Sequence, residues 1–219
     1  MRTEHEGSNP RVEPVWAETL AQIRADLGDC TRCKLHDGRT QIVFGVGNPK
    51  ARLMFIGEAP GGDEDRQGEP FVGAAGQLLT KIIEAIGLTR EDVYITNVVR
   101  CRPPANRNPE PDEIDACAPF LERTIASVNP AVLVGLGNVA VKSLLGVDTG
   151  IMKMRGSWRE YRGIPFMPTL HPAWVLRNET EGRRMIWDDI RKVAERYNEN
   201  LPAGVKPATI KSRRSEGAS

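Results

Sequence analysis

Four cysteines are the residues of this chain whose types and spacing most directly suggest chemistry. They form a close pair, Cys30 and Cys33, and a wide pair, Cys101 and Cys117. The sequence contains no other cysteine. Four thiols in one protein either bind a metal or form two disulfides, and this choice bears on the compartment, the cofactor and the partners together.

A metal site is the favoured interpretation of the four cysteines. Disulfides mainly stabilise small secreted domains, whereas a chain of 219 residues can bury a sizeable core. The N-terminal residues contain no apolar stretch typical of a secretory signal, and no run of roughly 18 apolar residues predicts a membrane span. We therefore expect a cytoplasmic protein with metal-bound thiolates and no membrane partner.

The spacing of the cysteines leaves zinc and an iron–sulfur cluster both open. Zinc ribbons commonly use two close pairs, but here only Cys30 and Cys33 are close, because Cys101 and Cys117 flank a proline-rich loop. Four thiolates drawn from distant segments suit a four-iron cluster. The spacing alone therefore favours iron–sulfur only slightly.

Apolar runs that alternate with helical patterns predict an α/β fold. Buried strands are expected near residues 52–57, 93–99, 131–136 and 164–170. Helices are expected near residues 14–27, 75–86, 111–127, 139–145 and 181–197. This alternation is typical of a parallel sheet covered on both faces, so we expect a three-layer α/β/α sandwich around a central four-stranded parallel sheet.

Composition and charge divide the chain into one domain and two tails. Residues 1–13 and 199–219 are polar and lack apolar periodicity, so we expect a disordered N-terminal tail, a single domain over 14–198 and a basic disordered C-terminal tail. Residues 151–219 carry 14 basic against 8 acidic residues, whereas residues 1–150 carry 16 against 21. The basic part could bind a polyanion such as DNA, or it could be a solvated surface.

Polar and aromatic residues follow the predicted strands, where ligands of parallel sheets bind. Glu58, Asn97 and His171 each come at or just after the end of a strand, and Phe71 lies in a glycine-rich stretch after the first. This set could stack a planar heterocycle, bind its amide edge and stabilise charge on its oxygen. Each residue also has a structural alternative, such as a cap, a turn or a core position. Their shared location favours a site.

Missing motifs exclude several enzyme classes. The chain has no G-x4-G-K-[ST] loop for nucleotide phosphates and no G-x-S-x-G nucleophile elbow. Its three histidines, His5, His36 and His171, are too few for a histidine-rich catalytic metal site.

Four motifs occur in order between Cys30 and Arg177. They are Gly57-Glu-Ala-Pro-Gly61, Gly68-Glu-Pro-Phe-Val-Gly-Ala-Ala-Gly76, Thr96-Asn-Val-Val-Arg-Cys-Arg-Pro-Pro104 and Leu170-His-Pro-Ala-Trp-Val-Leu-Arg177. Together with the cysteine spacing, they resemble the family 4 uracil-DNA glycosylases, the iron–sulfur type of bacteria and archaea. The resemblance implies a [4Fe–4S] cluster bound by all four cysteines.

The resemblance also implies an activity, the hydrolysis of the bond between N1 of uracil and C1′ of deoxyribose in base excision repair. The uridine must be flipped out of the duplex, and an abasic site remains. Phe71 is expected to stack on the base, Asn97 to bind its O4/N3 edge, and His171 to stabilise negative charge on O2. Glu58 is expected to orient or activate the attacking water.

Further residues take roles in substrate and DNA binding by the same resemblance. The substrate pocket is expected to include Gly57, Ala59, Pro60 and Glu64, with Glu64 near C5, where it would exclude the methyl group of thymine. Trp174 or Leu176 is expected to enter the duplex as a wedge, and Arg177 to bind phosphate. The alternative is that Trp174 and Leu176 pack against the last helix.

Two departures from related branches favour turnover. One branch traps its product through a histidine in an inserted loop, but residues 102–111 of this chain contain no histidine and no insertion. Another branch lacks an acidic residue at the position of Glu58. We therefore expect a monomeric, monofunctional glycosylase that acts on uracil-containing DNA. The competing hypotheses are an iron–sulfur protein that binds uracil or single strands with little cleavage, and a zinc-stabilised protein of another function.

Overall fold

A six-stranded sheet forms the centre of the computed structural model, which describes residues 18–210. The strands are β1 (Val46–Gly47), β2 (Leu53–Gly57), β3 (Tyr94–Asn97), β4 (Val132–Leu136), β5 (Arg159–Tyr161) and β6 (Ile164–Thr169). Their order across the sheet is β1-β3-β2-β4-β6-β5. The strands β3, β2, β4 and β6 are mutually parallel, and the edge strands β1 and β5 are antiparallel to their neighbours.

The four parallel strands confirm the predicted centre of the sheet, but the sheet is wider by two strands. The strands β1 and β5 contain only two and three residues. Such short segments carry too few alternating side chains to show a strand pattern, and two of the three residues of β5 are exposed.

Eight α-helices belong to the described part of the chain. They are α1 (Leu20–Leu27), α2 (Gly62–Gln67), α3 (Ala74–Ala85), α4 (Pro111–Val128), α5 (Gly137–Leu145), α6 (Ile151–Met154), α7 (Pro172–Arg177) and α8 (Glu179–Asn198). Within residues 18–210, none of the helices is both long and apolar enough to pass through a lipid bilayer. The short helices α2, α6 and α7 are absent from the predicted set because four to six residues show no helical period.

Alternate side chains of the strands pack on opposite faces of the sheet, which produces the predicted three layers. Leu53 and Phe55 of β2 belong to the core that contains the buried residues of α3 and α8. Met54 and Ile56 belong to the core that contains those of α4 and α5. A strand places successive side chains on opposite sides, so β2 is apolar throughout because both of its faces are covered.

The first helix begins later than the apolar pattern predicts. The helix α1 starts at Leu20, because the hydroxyl of Thr19 accepts a bond from the Gln22 amide and the Gln22 side chain accepts one from the Thr19 amide. This reciprocal cap fixes the start of the helix. The predicted start at Pro14 and the predicted tail over 1–13 lie outside the described residues.

The segment 199–210 differs from the disordered tail that its composition predicts. The Thr209 amide donates to the Ile86 carbonyl over 2.8 Å, and the Ala208 amide donates to the Asn198 side chain over 2.9 Å. Ala208 is buried beside the core that includes α3 and α8. The segment therefore packs against the domain. Its composition does not predict this, because single residues rather than a periodic pattern make the contacts. Residues 211–219 lie outside the described range.

A buried arginine joins the end of β3 to α4. Arg100 is 1% exposed, and its guanidinium donates to the Asn97 carbonyl over 2.7 Å, to the Thr124 hydroxyl over 3.1 Å and to the Thr96 hydroxyl. It also lies over the Phe44 ring, 5.4 Å from the ring centroid. Buried acceptors need donors, so this side chain sets the path of the chain where it leaves the sheet.

Replacement of Arg100 should destabilise the fold. We expect Arg100→Ala to lower the free energy of unfolding by about 2–4 kcal/mol, because three buried acceptors lose their donor. Arg162→Ala, at an exposed arginine paired with Glu122, should lower it by less than about 1 kcal/mol. Urea unfolding measures both variants, and equal losses would contradict the structural role of Arg100.

Candidate active site

A cleft of about 580 Å³ lies at the edge of the sheet where the parallel strands end. Its walls include residues at or after the carboxyl ends of four strands: Glu58 after β2, Asn97 of β3, Gly137 after β4 and His171 after β6. The chain crosses from one side of β2 to the other between β3 and β4. A parallel sheet opens a crevice at such a point, which is where the sequence predicts the site.

Asn97 carries a buried acceptor that is free to bind a ligand. The residue is 1% exposed, and its Oδ1 atom has no hydrogen-bond partner among residues 18–210. Its backbone carbonyl accepts from Arg100, which anchors the residue at the end of β3. A buried polar atom without a partner is costly unless a ligand supplies the missing bond.

Gly57 lets two site residues approach the same point of the backbone. A Cβ atom at Gly57 would lie 2.4 Å from Asn97 Oδ1 and 2.4 Å from Phe71 Cζ. Gly57 also pairs with Asn97 in the register between β2 and β3. Only glycine leaves this space open, so the predicted substrate-binding role of Gly57 is to bring the amide and the ring together.

Phe71 and His171 lie next to each other, as a single site requires. Their ring centroids are 5.7 Å apart and the ring planes are tilted by 32°. Phe71 has a φ of 56°, in the left-handed region that residues other than glycine rarely adopt. The distance shows that the stretch after α2 and the segment after β6 meet across the cleft.

His171 is held as a neutral imidazole with a defined tautomer. Its Nδ1 atom accepts a hydrogen bond of 3.1 Å from the Ala173 amide, so the ring proton of the neutral form is on Nε2. Burial, with a smaller contribution from the charge of Arg177, lowers the pKa of His171 to about 4. Gly137 has a φ of +88°, and a Cβ there would come within 2.9 Å of the His171 Cβ.

Glu58 is a half-buried carboxylate in the wall of the cleft. Burial raises its pKa, and among residues 18–210 no cation opposes this rise. The backbone carbonyl of Glu58 accepts from the Val99 amide over 3.2 Å, which fixes the residue beyond the end of β2. A carboxylate with a raised pKa in a cleft is suited to accept a proton or to orient water.

Glu64 lines the cleft with Ala59 and Pro60, but its carboxylate is occupied by the backbone. Its Oε1 atom accepts from the Val72 and Gly73 amides, each over 2.9 Å, and its Oε2 atom accepts from the Gly61 amide over 3.1 Å. These contacts anchor a loop. The exclusion of the thymine methyl group by Glu64 stays a prediction.

The residues predicted to bind DNA lie on α7 at the rim of the cleft. Trp174 and Arg177 line the cleft, whereas Leu176 does not belong to its lining. Trp174 also packs against the core, and its ring lies 3.2 Å from the position that a Cβ of Gly182 would take. The alternative interpretation of Trp174 as a packing residue therefore holds for part of its surface, and the wedge stays a prediction.

The proline-rich loop contributes wall residues that the sequence interpretation did not include. Pro103, Asn106, Arg107 and Asn108 line the cleft. Both ends of the Arg107 guanidinium donate to the carboxylate of the buried Glu113, over 2.7 and 2.8 Å. The sequence gives only a weak signal for this ion pair, because two charged residues six positions apart come together only when the loop folds back onto α4.

The four cysteines line one small cavity that shares no lining residue with the cleft. Arg39 donates to the Cys101 sulfur over 3.4 Å and Arg32 donates to the Cys30 sulfur over 3.5 Å. Among residues 18–210 no group of three metal-binding side chains is placed to hold a metal ion as the side chains stand. Four thiols in one cavity with two cationic donors nevertheless suit a group bound through sulfur.

Comparison with known proteins identifies the family. The model of the uracil DNA glycosylase superfamily matches residues 44–192. The chain is 48% identical to the type-4 uracil-DNA glycosylase of Thermotoga maritima, over 80% of this chain and 93% of that protein. It is 46% identical to the type-4 enzyme of Sulfurisphaera tokodaii, over 81% and 84%. A type-5 uracil-DNA glycosylase of Thermus thermophilus is 36% identical over 47% of this chain.

The matched region contains all four strands whose ends form the cleft, together with Gly57, Phe71, Asn97 and His171. Identity with the type-4 enzymes extends over about four-fifths of the chain, whereas the type-5 match covers less than half. The chain belongs to the uracil-DNA glycosylase superfamily and, within it, to the type-4 enzymes.

Proposed function

We propose that this protein is a monofunctional uracil-DNA glycosylase, which hydrolyses the bond between uracil and deoxyribose in base excision repair. The observation that carries the proposal is the Oδ1 atom of the buried Asn97, which has no hydrogen-bond partner within residues 18–210 and lies against Gly57 beside the Phe71 ring. A planar base with a hydrogen-bond donor at its edge satisfies both groups at once. The type-4 enzymes that the chain resembles are named for this activity.

Base recognition follows from the pairing of donors and acceptors. The N3–H group of uracil donates, so it can supply the bond that Asn97 Oδ1 lacks. The N3 atom of cytosine only accepts and would leave that buried oxygen unpaired, a mismatch that a buried polar site rejects strongly. Phe71 stacks on the ring, and the flipped base enters from the rim of the cleft.

His171 is suited to stabilise the departing base. Negative charge develops on O2 of uracil as the bond to the sugar breaks, and the Nε2–H group of the neutral ring can donate to it. A single donor aimed at such an anion is typically worth about 2.7–4 kcal/mol. The half-buried position keeps the ring neutral, so it donates without carrying a charge of its own.

Glu58 is suited to act on the sugar side of the bond. Its carboxylate can orient a water molecule toward C1′ and accept the proton of that water as the new bond forms. Burial raises the pKa of Glu58, which makes its carboxylate a stronger base than an exposed one.

DNA binding is assigned to α7 and the rim. Arg177 is exposed at the cleft and can pair with phosphate, and Trp174 or Leu176 can fill the space left by the flipped nucleotide. A monomeric state and a cytoplasmic location remain predictions.

The shared cavity of Cys30, Cys33, Cys101 and Cys117 supports the proposal that these four residues hold a [4Fe–4S] cluster. In such a cluster each cysteine binds a different iron, so the sulfurs surround the group rather than meet at one ion. When bound, the cluster would cross-link the N-terminal segment, the loop after β3 and α4. Arg39 and Arg32 donate to two of the sulfurs. Burial raises the pKa of the Cys101 thiol to about 11, and the hydrogen bond from Arg39 opposes that rise.

The central test is cleavage of an oligonucleotide that contains one uracil. The wild-type protein should remove the uracil, so that alkali then breaks the strand at the abasic site, whereas a thymine control should stay intact. Glu58→Gln should lower the single-turnover rate by roughly 100-fold or more, because the amide cannot accept a proton from water. DNA affinity should change by less than about twofold, because the amide has nearly the same shape as the carboxylate. Retention of intact DNA by the wild-type protein would instead support a uracil-binding protein without turnover.

The pH profile tests the neutral state of His171. With a pKa of about 4, the ring carries no charge from pH 5 to 8, so the single-turnover rate should show no inflection near 6.5. The rate should fall on the acid side as Glu58, whose pKa is raised, takes up its proton. His171→Ala should lower the rate by about 100- to 1,000-fold and keep the same profile. An inflection near 6.5 that disappears in His171→Ala would overturn the assignment.

Loss of one cysteine tests the cluster. The wild-type protein should be brown with broad absorption near ~400 nm, and Cys117→Ser should lose that absorption, its iron and part of its stability. Ser127→Ala, on the same helix, should keep all three. A colourless wild-type protein that contains zinc would contradict the proposal.

A further inference from the structure

The backbone at Phe71 needs support that its own sequence does not provide. Its φ of 56° places a bulky residue in the left-handed region, which costs free energy. The conformation therefore persists only where the surroundings hold it. The contacts of residues 70–73 show which groups hold this conformation.

Glu64 holds the segment on its amide side. One carboxylate oxygen, Oε1, accepts from the amides of Val72 and Gly73, each over 2.9 Å. The other oxygen accepts from the Gly61 amide at the start of α2. Both amides that follow Phe71 are therefore bound to one side chain.

Arg90 holds the segment on its carbonyl side. Its Nη2 group donates to the Pro70 carbonyl over 2.8 Å, and its Nη1 group donates to the Phe71 carbonyl over 3.0 Å. Arg90 lies in the loop between α3 and β3, and Nη1 also reaches the Thr80 hydroxyl at 3.4 Å. A planar guanidinium can bind two successive carbonyls at once, which an ammonium group does not do in the same fixed geometry.

The helix α3 packs directly against the backbone carbonyl of Phe71. A Cβ atom at Gly76 would lie 1.9 Å from the carbonyl carbon and oxygen of Phe71, so only glycine allows this approach. The peptide of Phe71 is thus pressed between a helix and a guanidinium, while its ring faces His171.

We propose that Arg90 and Glu64 are positioning residues that bracket the backbone at Phe71 and so hold its ring in place to stack on the flipped base. The inference rests on the proposed function, because it assigns a purpose to the stacking ring. Neither residue needs to touch the substrate. Glu64 thereby takes a role different from exclusion of the thymine methyl group.

The bracket differs from general stabilisation in one measurable way. A residue that only stabilises the fold lowers activity independently of Phe71. A residue that acts through the ring loses its effect once the ring is gone, so the two substitutions are not additive. Arg90→Lys is the substitution to use, since it keeps the charge and removes the fork.

The first experiment is a double-mutant cycle on single-turnover excision of uracil by the full chain. Arg90→Lys should lower the rate about tenfold. In the Phe71→Ala background the same change should lower it by less than about twofold. Arg183→Lys, at an exposed arginine paired with Glu179, is the matched control and should change neither rate. Full additivity of Arg90→Lys and Phe71→Ala would overturn the bracket.

The second experiment observes the ring without DNA or catalysis. The chain has 5 phenylalanines, so labelling with 4-fluorophenylalanine gives a small ¹⁹F spectrum in which Phe71→Leu identifies the signal of residue 71. Arg90→Lys and Glu64→Ala should each shift or broaden that signal, and Arg183→Lys should not. An unchanged signal in both bracket variants would overturn the inference.

The two experiments separate failure of the inference from failure of the proposed function. If Phe71→Ala excises uracil as fast as the wild type, the stacking role fails, whatever the bracket does. If Phe71→Ala is slow but Arg90→Lys leaves both the rate and the ¹⁹F signal unchanged, only the bracket fails.

Discussion

Glycine at position 57, which has no side chain, is the constraint on which the site depends. The space where a Cβ would stand is bordered by Asn97 Oδ1 and Phe71 Cζ. These two atoms belong to residues 26 positions apart in sequence. The parallel pairing of β2 with β3 places Asn97 opposite Gly57, and the segment before α3 brings Phe71 to the same point. Any larger residue would separate the Asn97 amide, the proposed recognition group, from the Phe71 ring, the proposed stacking surface.

The cleft combines several features that a protein without a ligand would avoid. The amide oxygen of Asn97 has no hydrogen-bond partner in the described part of the chain, Phe71 has a left-handed backbone, and Glu58 and His171 are desolvated. Each costs free energy, and the apolar core on both faces of the sheet offsets that cost. Features of this kind collect at functional sites because a bound substrate makes use of them.

Arg100 connects the cleft to the cysteine cavity. Its guanidinium donates to the backbone carbonyl of Asn97, and the same side chain lines the cavity that contains Cys101 and Cys117. Among the described residues its hydrogen bonds go to neutral oxygens. Burial lowers the pKa of Arg100, while Cys117, Tyr94 and Cys101 favour its charged form. One buried arginine therefore contacts both Asn97 and the cavity of the cysteines.

The sequence by itself determined the layers of the fold, the four parallel strands and the location of Glu58, Asn97 and His171 at the strand ends, because apolar runs and breaks in pattern are local signals. The edge strands, the packing of residues 199–210 and the wall formed by Asn106 and its neighbours were decided only by the tertiary structure. The same is true of the bracket around Phe71. Its contacts join side chains to backbone groups of other segments, and such pairs have no period or fixed spacing from which they could be predicted.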